Sequence, residues 1–494
     1  MRSIVKTVER ACSPEALAEQ LHGLPGVVLL RSALFDLPHA RYSFVAVRPF
    51  LTFRSFGARC ETRLAHGGLQ VQFGDPWRLL DGLLARYELL EEADQPFPLG
   101  GCFGFWGYDL KNFVEPGLSR NAINDLELPD CHLGFYDSLV VFDHLLQKIW
   151  IISTGLSEDG SRDESRARAQ LEFWQKRLDS SSEEKRAEPP YVGRYTNNVE
   201  SCSARVVGSP AVTIRSNLSR ADYIAAVERA QRYIRAGDIY QVNLAHRLAA
   251  RSGRSGWELW QSLSAVSPAP FSAYLNCGDL EVVSSSPELF LRLSGSHIQT
   301  RPIKGTRPRA ADPTRDAQLS YELQTSAKEI AELIMITDLL RNDLGRVCEY
   351  GSVQAPELLR LERYPQVQHL VSTVEGCLRS DITHLTALAN CFPGGSVTGA
   401  PKIRAMQIID ELEPVTRGPY TGCLGYLGFN RESQLSITIR TAICKKGWTS
   451  FHAGAGIVAD SNPEAEYEET LAKAAGFLSA LRKARAPDLH FRRP

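Results

Sequence analysis

The chain is expected to adopt an α+β fold, which the order of its strand-like and helical runs predicts, while composition and charge mark it as an ordinary globular protein. Strand-like runs crowd both ends of the sequence, and helical stretches interrupt them instead of alternating one for one, which argues against a doubly wound sheet. Its 494 residues are 43% apolar and 23% charged, the balance of an ordinary globular protein able to bury a large core. With 56 Lys and Arg against 57 Asp and Glu, the formal net charge of -1 offers no global attraction to nucleic acid or anionic membrane. No apolar run is long enough to span a bilayer.

The first segment is 1–156. Val27-Val28-Leu29-Leu30 reads as a buried strand, and Ser43-Phe44-Val45-Ala46-Val47 follows it. Helical periodicity covers 76–90, with Leu79, Leu80, Leu83 and Leu84 on one face. Residues 98–110 are rich in glycine and aromatics but hold no strand-to-helix GxGxxG. Leu139 to Asp143 and Ile149 to Ile152 read as another strand pair. Residues 157–217 form a charged insert, read as an exposed helix followed by a linker.

From 218 to 485 the pattern sharpens. Ser219 caps a helix that Gly237 ends. Strands are expected over 241–249, 271–276, 281–285 and 289–293, helices over 325–342 and 403–412, strands over 422–429, 434–443 and 450–457, and a last helix over 463–483. A tail, 486–494, follows. The opening twenty residues lack the apolar core of a signal peptide. The 11 cysteines form no Cys-x-x-Cys pair, so neither a disulfide framework nor a zinc ribbon is expected, and the cytoplasm is the default compartment.

Four constellations bear on chemistry. Glu329 and Glu332 stand three apart on one helix, as do Glu466 and Glu469 behind the cap Asn462 and Pro463. Two such carboxylate pairs suit one Mg²⁺, or else two solvated acidic faces near helix N-termini. The loop 392–402 has the glycine spacing of a phosphate-binding loop through Gly394 and Gly399, but Ala400 stands where its lysine is required, and Thr398 rules out GxSxG. What remains is a Gly-rich lead into a helix, either an anion site or a structural turn. Arg301 to Arg309 is a basic loop whose Lys304 is a solvated charge or a pocket nucleophile, with Glu288 in reach as general acid. Alternation on a strand over 434–443 sets Ser436, Thr438 and Arg440 on one face, opposite Gly454 and Gly456, as a carboxylate clamp or an edge-strand face.

Together these fragments resemble one family, the chorismate-utilising enzymes. The match runs through Ile239-Tyr-Gln-Val-Asn-Leu, Ser286-Pro-Glu288, Arg301-Pro-Ile-Lys-Gly-Thr306, the Glu329/Glu332 helix into Asp338-Leu-Leu-Arg-Asn-Asp343, Val367-Gln-His-Leu-Val-Ser372, the 392–402 loop, Ser436-Ile-Thr-Ile-Arg440, Gly454-Ala-Gly456 and Glu466 to Lys473, in family order. Residues 20–150 resemble the N-terminal part of the component I synthases through 98–110 and Leu128-Pro-Asp130. The resemblance implies large, mostly antiparallel sheets packed as a sandwich with helices outside, the anthranilate synthase component I fold.

It also implies an activity. Within the family, anthranilate synthases look to carry Ala where this chain has Lys304, and the isochorismate and salicylate branch carries a water-activating Lys in place of Gln241. Lys304 with Gln241 therefore points to the aminodeoxychorismate synthase branch, which makes 4-amino-4-deoxychorismate for 4-aminobenzoate and folate synthesis. Anthranilate synthase component I is the alternative. By the same resemblance Lys304, Glu288 and His369 are catalytic, and Mg²⁺ is the cofactor, held directly by Glu332 and Glu469 and through water by Glu329 and Glu466. Gln241, Gly305, Thr306, Thr398, Gly399, Tyr420, Thr438, Arg440, Gly454, Gly456 and Lys473 line the substrate site. The resemblance also implies that ammonia comes from a separate glutamine amidotransferase subunit in a heterodimer, with an aminodeoxychorismate lyase downstream. A tryptophan pocket is implied at Ser32, Pro270 and Phe271.

Overall fold

The computed structural model describes residues 2–9, 12–32, 40–92, 95–180, 213–364 and 367–482. Two sheets dominate, each of twelve strands among these residues. The first runs from Ile4–Val8 through Lys148–Ser153, Ser138–Asp143, Tyr42–Ala46, Val28–Arg31, Phe271–Asn276, Glu281–Ser286, Thr441–Lys445, Trp448–Ile457 and Gln241–Arg251 to Ile214–Ser216. The second runs from Ile303–Pro308 through Val367–Cys377, His297–Arg301, Leu289–Ser294, Glu432–Ile437, Cys423–Gly428, Gly101–Trp106, Cys131–Tyr136 and Leu51–Phe56 to the hairpin Arg59–Leu64 and Leu69–Phe73.

Segments 1–156 and 218–485 share both sheets. Val28–Arg31 pairs antiparallel with Phe271–Asn276 in the first, and Gly101–Trp106 with Cys423–Gly428 in the second. The second pairing explains the glycines of 98–110. Gly104 faces Gly425, and a Cβ on Gly104 would collide with the His132 carbonyl. The intervening aromatics fill the space between the sheets. Phe103 stacks on Tyr426 at 5.3 Å, and Phe44 of the first sheet meets the same ring edge-on at 5.0 Å. Each such fully buried ring contributes about 1.5–3 kcal/mol by leaving water. Helices Pro14–Leu21, Glu164–Ser180, Gly256–Val266 and Pro463–Arg482 cover the outer face of the first sheet, so the expected sandwich with helices outside is what forms.

Several local expectations are corrected. The helix expected over 76–90 is Pro76–Leu84. The helix of the charged insert is not simply exposed, because Trp174 and Leu178 are buried against the first sheet. The helix expected over 325–342 is Ala327–Gly345, and a further helix the sequence reading did not include, Pro313–Thr325, precedes it, with Ser326 ending one and capping the next. The single strand over 434–443 is also two. Glu432–Ile437 lies in the second sheet and Thr441–Lys445 in the first, and residues 438–440 cross between them with Arg440 at φ +48°. Ser436, Thr438 and Arg440 therefore do not share one strand face. A crossing between sheets keeps the apolar alternation of a strand, which is why the sequence does not reveal it. The linker at 181–212 and the tail at 486–494 lie outside the described residues.

Candidate active site

Three elements converge on Glu332. The Ser326 side chain accepts a hydrogen bond from the Glu329 amide at 3.4 Å, which starts the helix so that Glu329 and Glu332 occupy its first two turns. Lys304, on the edge strand Ile303–Pro308, donates from Nζ to Glu332 Oε1 at 2.7 Å. Gln241, at the start of Gln241–Arg251, donates from Nε2 to the same oxygen at 2.6 Å. Burial pushes the Glu332 carboxyl up, but the Lys304 charge and hydrogen bond, helped by Gln241, outweigh it and leave its pKa below the ordinary value. Gly305 makes the approach possible. It adopts φ +67°, and a Cβ there would stand 2.7 Å from Leu323 Cδ1 and 3.1 Å from Glu329 Oε2.

Glu288 faces this group from the start of Leu289–Ser294 and is 7% exposed. Burial raises its pKa, and the Ser396 hydroxyl and then Lys304 offset that only in part. A carboxyl that holds its proton more tightly than in water suits a general acid. Thr306 Oγ1 and His369 Nδ1 lie 2.9 Å apart, paired in register across the sheet. Burial lowers the His369 pKa, favouring the neutral ring.

The second carboxylate pair sits on Pro463–Arg482, whose cap Asn462 accepts from the Ala465 amide at 3.1 Å. Glu466 is buried, and burial raises its pKa with a further push from Glu469, against the Ser461 hydroxyl. Glu469 pairs with Lys473 at 2.7 Å, and Lys473 Nζ also donates to the Gly454 carbonyl at 2.9 Å. The Gly454 and Gly456 backbone forms the wall between the two carboxylate helices. A Cβ on Gly454 would stand 2.7 Å from Tyr420 Oη; on Gly456 it would stand 2.5 Å from Gln241 Nε2 and 3.6 Å from Glu332 Oε1.

Gly399 pairs with Val242 beside Gln241. Thr398 is fully buried, and its hydroxyl donates to the Gly394 carbonyl of its own loop at 3.0 Å. Thr438 Oγ1 is buried and has no hydrogen-bond partner among the described residues. Arg440 is solvent-accessible and, among the described residues, its guanidinium makes no hydrogen bond or ion pair, while the surrounding protein lowers its pKa by desolvation. A free guanidinium is a ready partner for a carboxylate.

The four glutamates offer only hard oxygen donors, the set Mg²⁺ prefers, and the burial of Glu466 beside Glu469 is like-charge crowding that a dication relieves. As they stand, Glu332 and Glu469 each hold a lysine. Among the described residues no three acidic, His or Cys groups converge on one point.

Ser32, Pro270 and Phe271 come together elsewhere. With Tyr42, Phe44 and Tyr426 they line a cavity between the sheets. Among the described residues, Ser32 Oγ and Tyr42 Oη are buried beside it without hydrogen-bond partners. Two contacts escaped the sequence reading. Ser396 stood inside a recognised loop with no assigned role, and Arg307, whose Nη1 lies 3.5 Å from Glu329 Oε1, read as one charge of a basic run.

Comparison with known proteins bears on this geometry. A family described as chorismate binding enzyme matches residues 33–479. Anthranilate synthase component 1 of Thermus thermophilus is 41% identical over 457 residues, covering 90% of each chain. Aminodeoxychorismate synthase component 1 of Escherichia coli is 37% identical over 483 residues, 97% of this chain and 99% of that one. The crystal structure of anthranilate synthase component I from Streptococcus pneumoniae TIGR4 matches with a TM-score of 0.72 at 30% identity, covering 90% of this chain and 93% of that one.

Proposed function

The chain belongs to the chorismate binding enzyme family, and on that premise we propose that it is the chorismate-aminating component of an aminodeoxychorismate synthase. The observation that carries the reading is Lys304, set between Glu288 and the Glu332–Gln241 pair. The Lys304 amine, released from Glu332 and with its ammonium proton lost to solvent, attacks ring C2 of chorismate. The ring double bonds shift, and the C4 hydroxyl leaves as water with the proton of Glu288. Ammonia then adds at C4 and returns a proton to the Glu288 carboxylate, the double bonds shift back, and the C2–N bond to Lys304 breaks. The enolpyruvyl ether is untouched, so the product is 4-amino-4-deoxychorismate.

Arg440, Lys473, Tyr420 and the Gly454–Gly456 backbone hold the enolpyruvyl carboxylate. Glu329, Glu332, Glu466 and Glu469 would hold Mg²⁺, which supplies positive charge for the ring carboxylate when bound. Gln241 cannot abstract a proton from water, which supports amination over hydration. Ammonia comes from a glutamine amidotransferase subunit, and an aminodeoxychorismate lyase consumes the product. The reading is tested by following chorismate: it is consumed only when ammonium and Mg²⁺ are both supplied, without anthranilate fluorescence. Amination at C2, as in an anthranilate synthase component I, is the second reading, favoured by the 41% identity to such a protein.

Two further results are expected. Glu332→Gln and Glu469→Gln each weaken Mg²⁺ binding in calorimetry by at least the ~10- to 100-fold that residues merely supporting a ligand are worth. Unchanged titrations would place the metal elsewhere. L-tryptophan fills the cavity at Ser32, Tyr42 and Phe271 and raises the melting temperature, since a ligand at 100 times its Kd adds about 2.7 kcal/mol. Tyr42→Phe blunts that rise, and no shift with the unaltered protein would exclude tryptophan.

A further inference from the structure

Beside Tyr420 lies a buried ion pair between Arg417 and Glu413. The helix Lys402–Leu412 ends at Glu413, and four residues on, Arg417 folds back over it. Arg417 Nε donates to Glu413 Oε2 at 2.8 Å and Nη2 to Oε1 at 2.6 Å, a two-pronged contact between side chains 1% and 4% exposed.

The remaining donors of Arg417 reach three other segments. Nη2 donates to the Asn243 carbonyl at 2.7 Å, two residues from Gln241. Nη1 donates to the Val397 carbonyl at 3.3 Å, beside Thr398, and to Thr421 Oγ1 at 3.0 Å. Glu413 Oε1 in turn accepts from the Ala245 amide at 2.8 Å. The guanidinium carbon stands 5.5 Å from the Tyr420 ring centroid, and the Arg417 carbonyl accepts from the Tyr420 amide at 3.1 Å. One planar group thus uses its donors to tie the Gly-rich loop, the Gln241 strand and the Tyr420 turn to each other.

We infer that Arg417, held by Glu413, is a positioning residue that sets Tyr420 and the 394–399 loop for the enolpyruvyl end of the substrate. This rests on the function proposed above. An ion pair serving stability alone needs no contact with three substrate-bearing segments, and buried pairs are in general weak stabilisers. Lysine in place of Arg417 keeps the charge but loses the fork, so it cannot reach Glu413, Asn243 and Val397 together.

The test compares the full-length unaltered protein with Arg417→Lys, Glu413→Gln, Tyr420→Phe and the double variant Arg417→Lys/Tyr420→Phe, assayed with chorismate, ammonium and Mg²⁺. The expected result for Arg417→Lys is a chorismate KM raised about tenfold or more, with kcat changed far less and Mg²⁺ half-saturation unmoved, as for lost ground-state and transition-state binding alike. In the double variant the two effects combine to less than their product, because they act through one contact. A soluble Arg417→Lys with the KM of the unaltered protein, or fully multiplicative effects, would overturn the inference. If that variant does not fold, the same rise in KM is expected of Glu413→Gln, and its absence there is equally decisive. An unaltered protein that neither binds nor consumes chorismate would remove the functional reading itself and this inference with it.

Discussion

Lys304→Ala loses ammonia-dependent turnover of chorismate by at least ~10³-fold, about 4 kcal/mol of transition-state stabilisation. The magnitude follows from the role: without the amine no bond forms at C2, and Glu288 has no developing leaving group to protonate. The fold is expected to survive. Lys304 pairs with Leu370 through its backbone, which alanine keeps, and Glu332 retains its bond from Gln241. The lost contact is one partly buried charge-assisted hydrogen bond, worth about 1.5–3 kcal/mol. Activity should therefore collapse while the melting temperature moves little. The measurement is a parallel assay and thermal melt, and an unchanged turnover rate would remove Lys304 from the nucleophile's role.

The second large effect is at Glu288. Glu288→Gln keeps the size and the contact with Ser396 but has no proton to give, so kcat falls ~10²- to 10⁴-fold, the range for lost general acid catalysis. The same variant tests the electrostatics. Burial raises the folded-state pKa of Glu288, so folding favours the protonated carboxyl. Its contribution to stability is fully present below the ordinary carboxylate pKa and is lost as pH rises through the raised value. Glutamine does not titrate. The variant should accordingly be inactive yet lose less stability than the unaltered protein as pH rises through that window. Parallel melting curves for the two proteins across the window would contradict the buried-acid assignment.

What was legible in the sequence was local. The carboxylate pairs, the caps at Ser219 and Asn462 and the Gly-rich loop are spacings within a few residues, and the structure places all of them on the expected elements. What was not legible depends on contacts across hundreds of residues. Nothing in the neighbourhood of Glu332 announces that Lys304 and Gln241 share one of its oxygens, and Arg417 sits in a turn with no periodicity to mark it. Alternation predicted one strand through Arg440, because the pattern of apolar residues is the same whether a strand continues or passes to the other sheet. The charged insert hid its buried face for a related reason: one tryptophan and one leucine among many charges bury a stripe too narrow to dominate the pattern.

The most direct measurement is the mass of the product. The purified chain is incubated with chorismate, Mg²⁺ and ammonium at alkaline pH, and the mixture is analysed by mass spectrometry before and after adding an aminodeoxychorismate lyase. The account predicts a species in which NH₂ replaces the C4 hydroxyl and the enolpyruvyl group remains, converted to 4-aminobenzoate by the lyase. Anthranilate with released pyruvate, formed without any lyase, would contradict it and assign amination to C2.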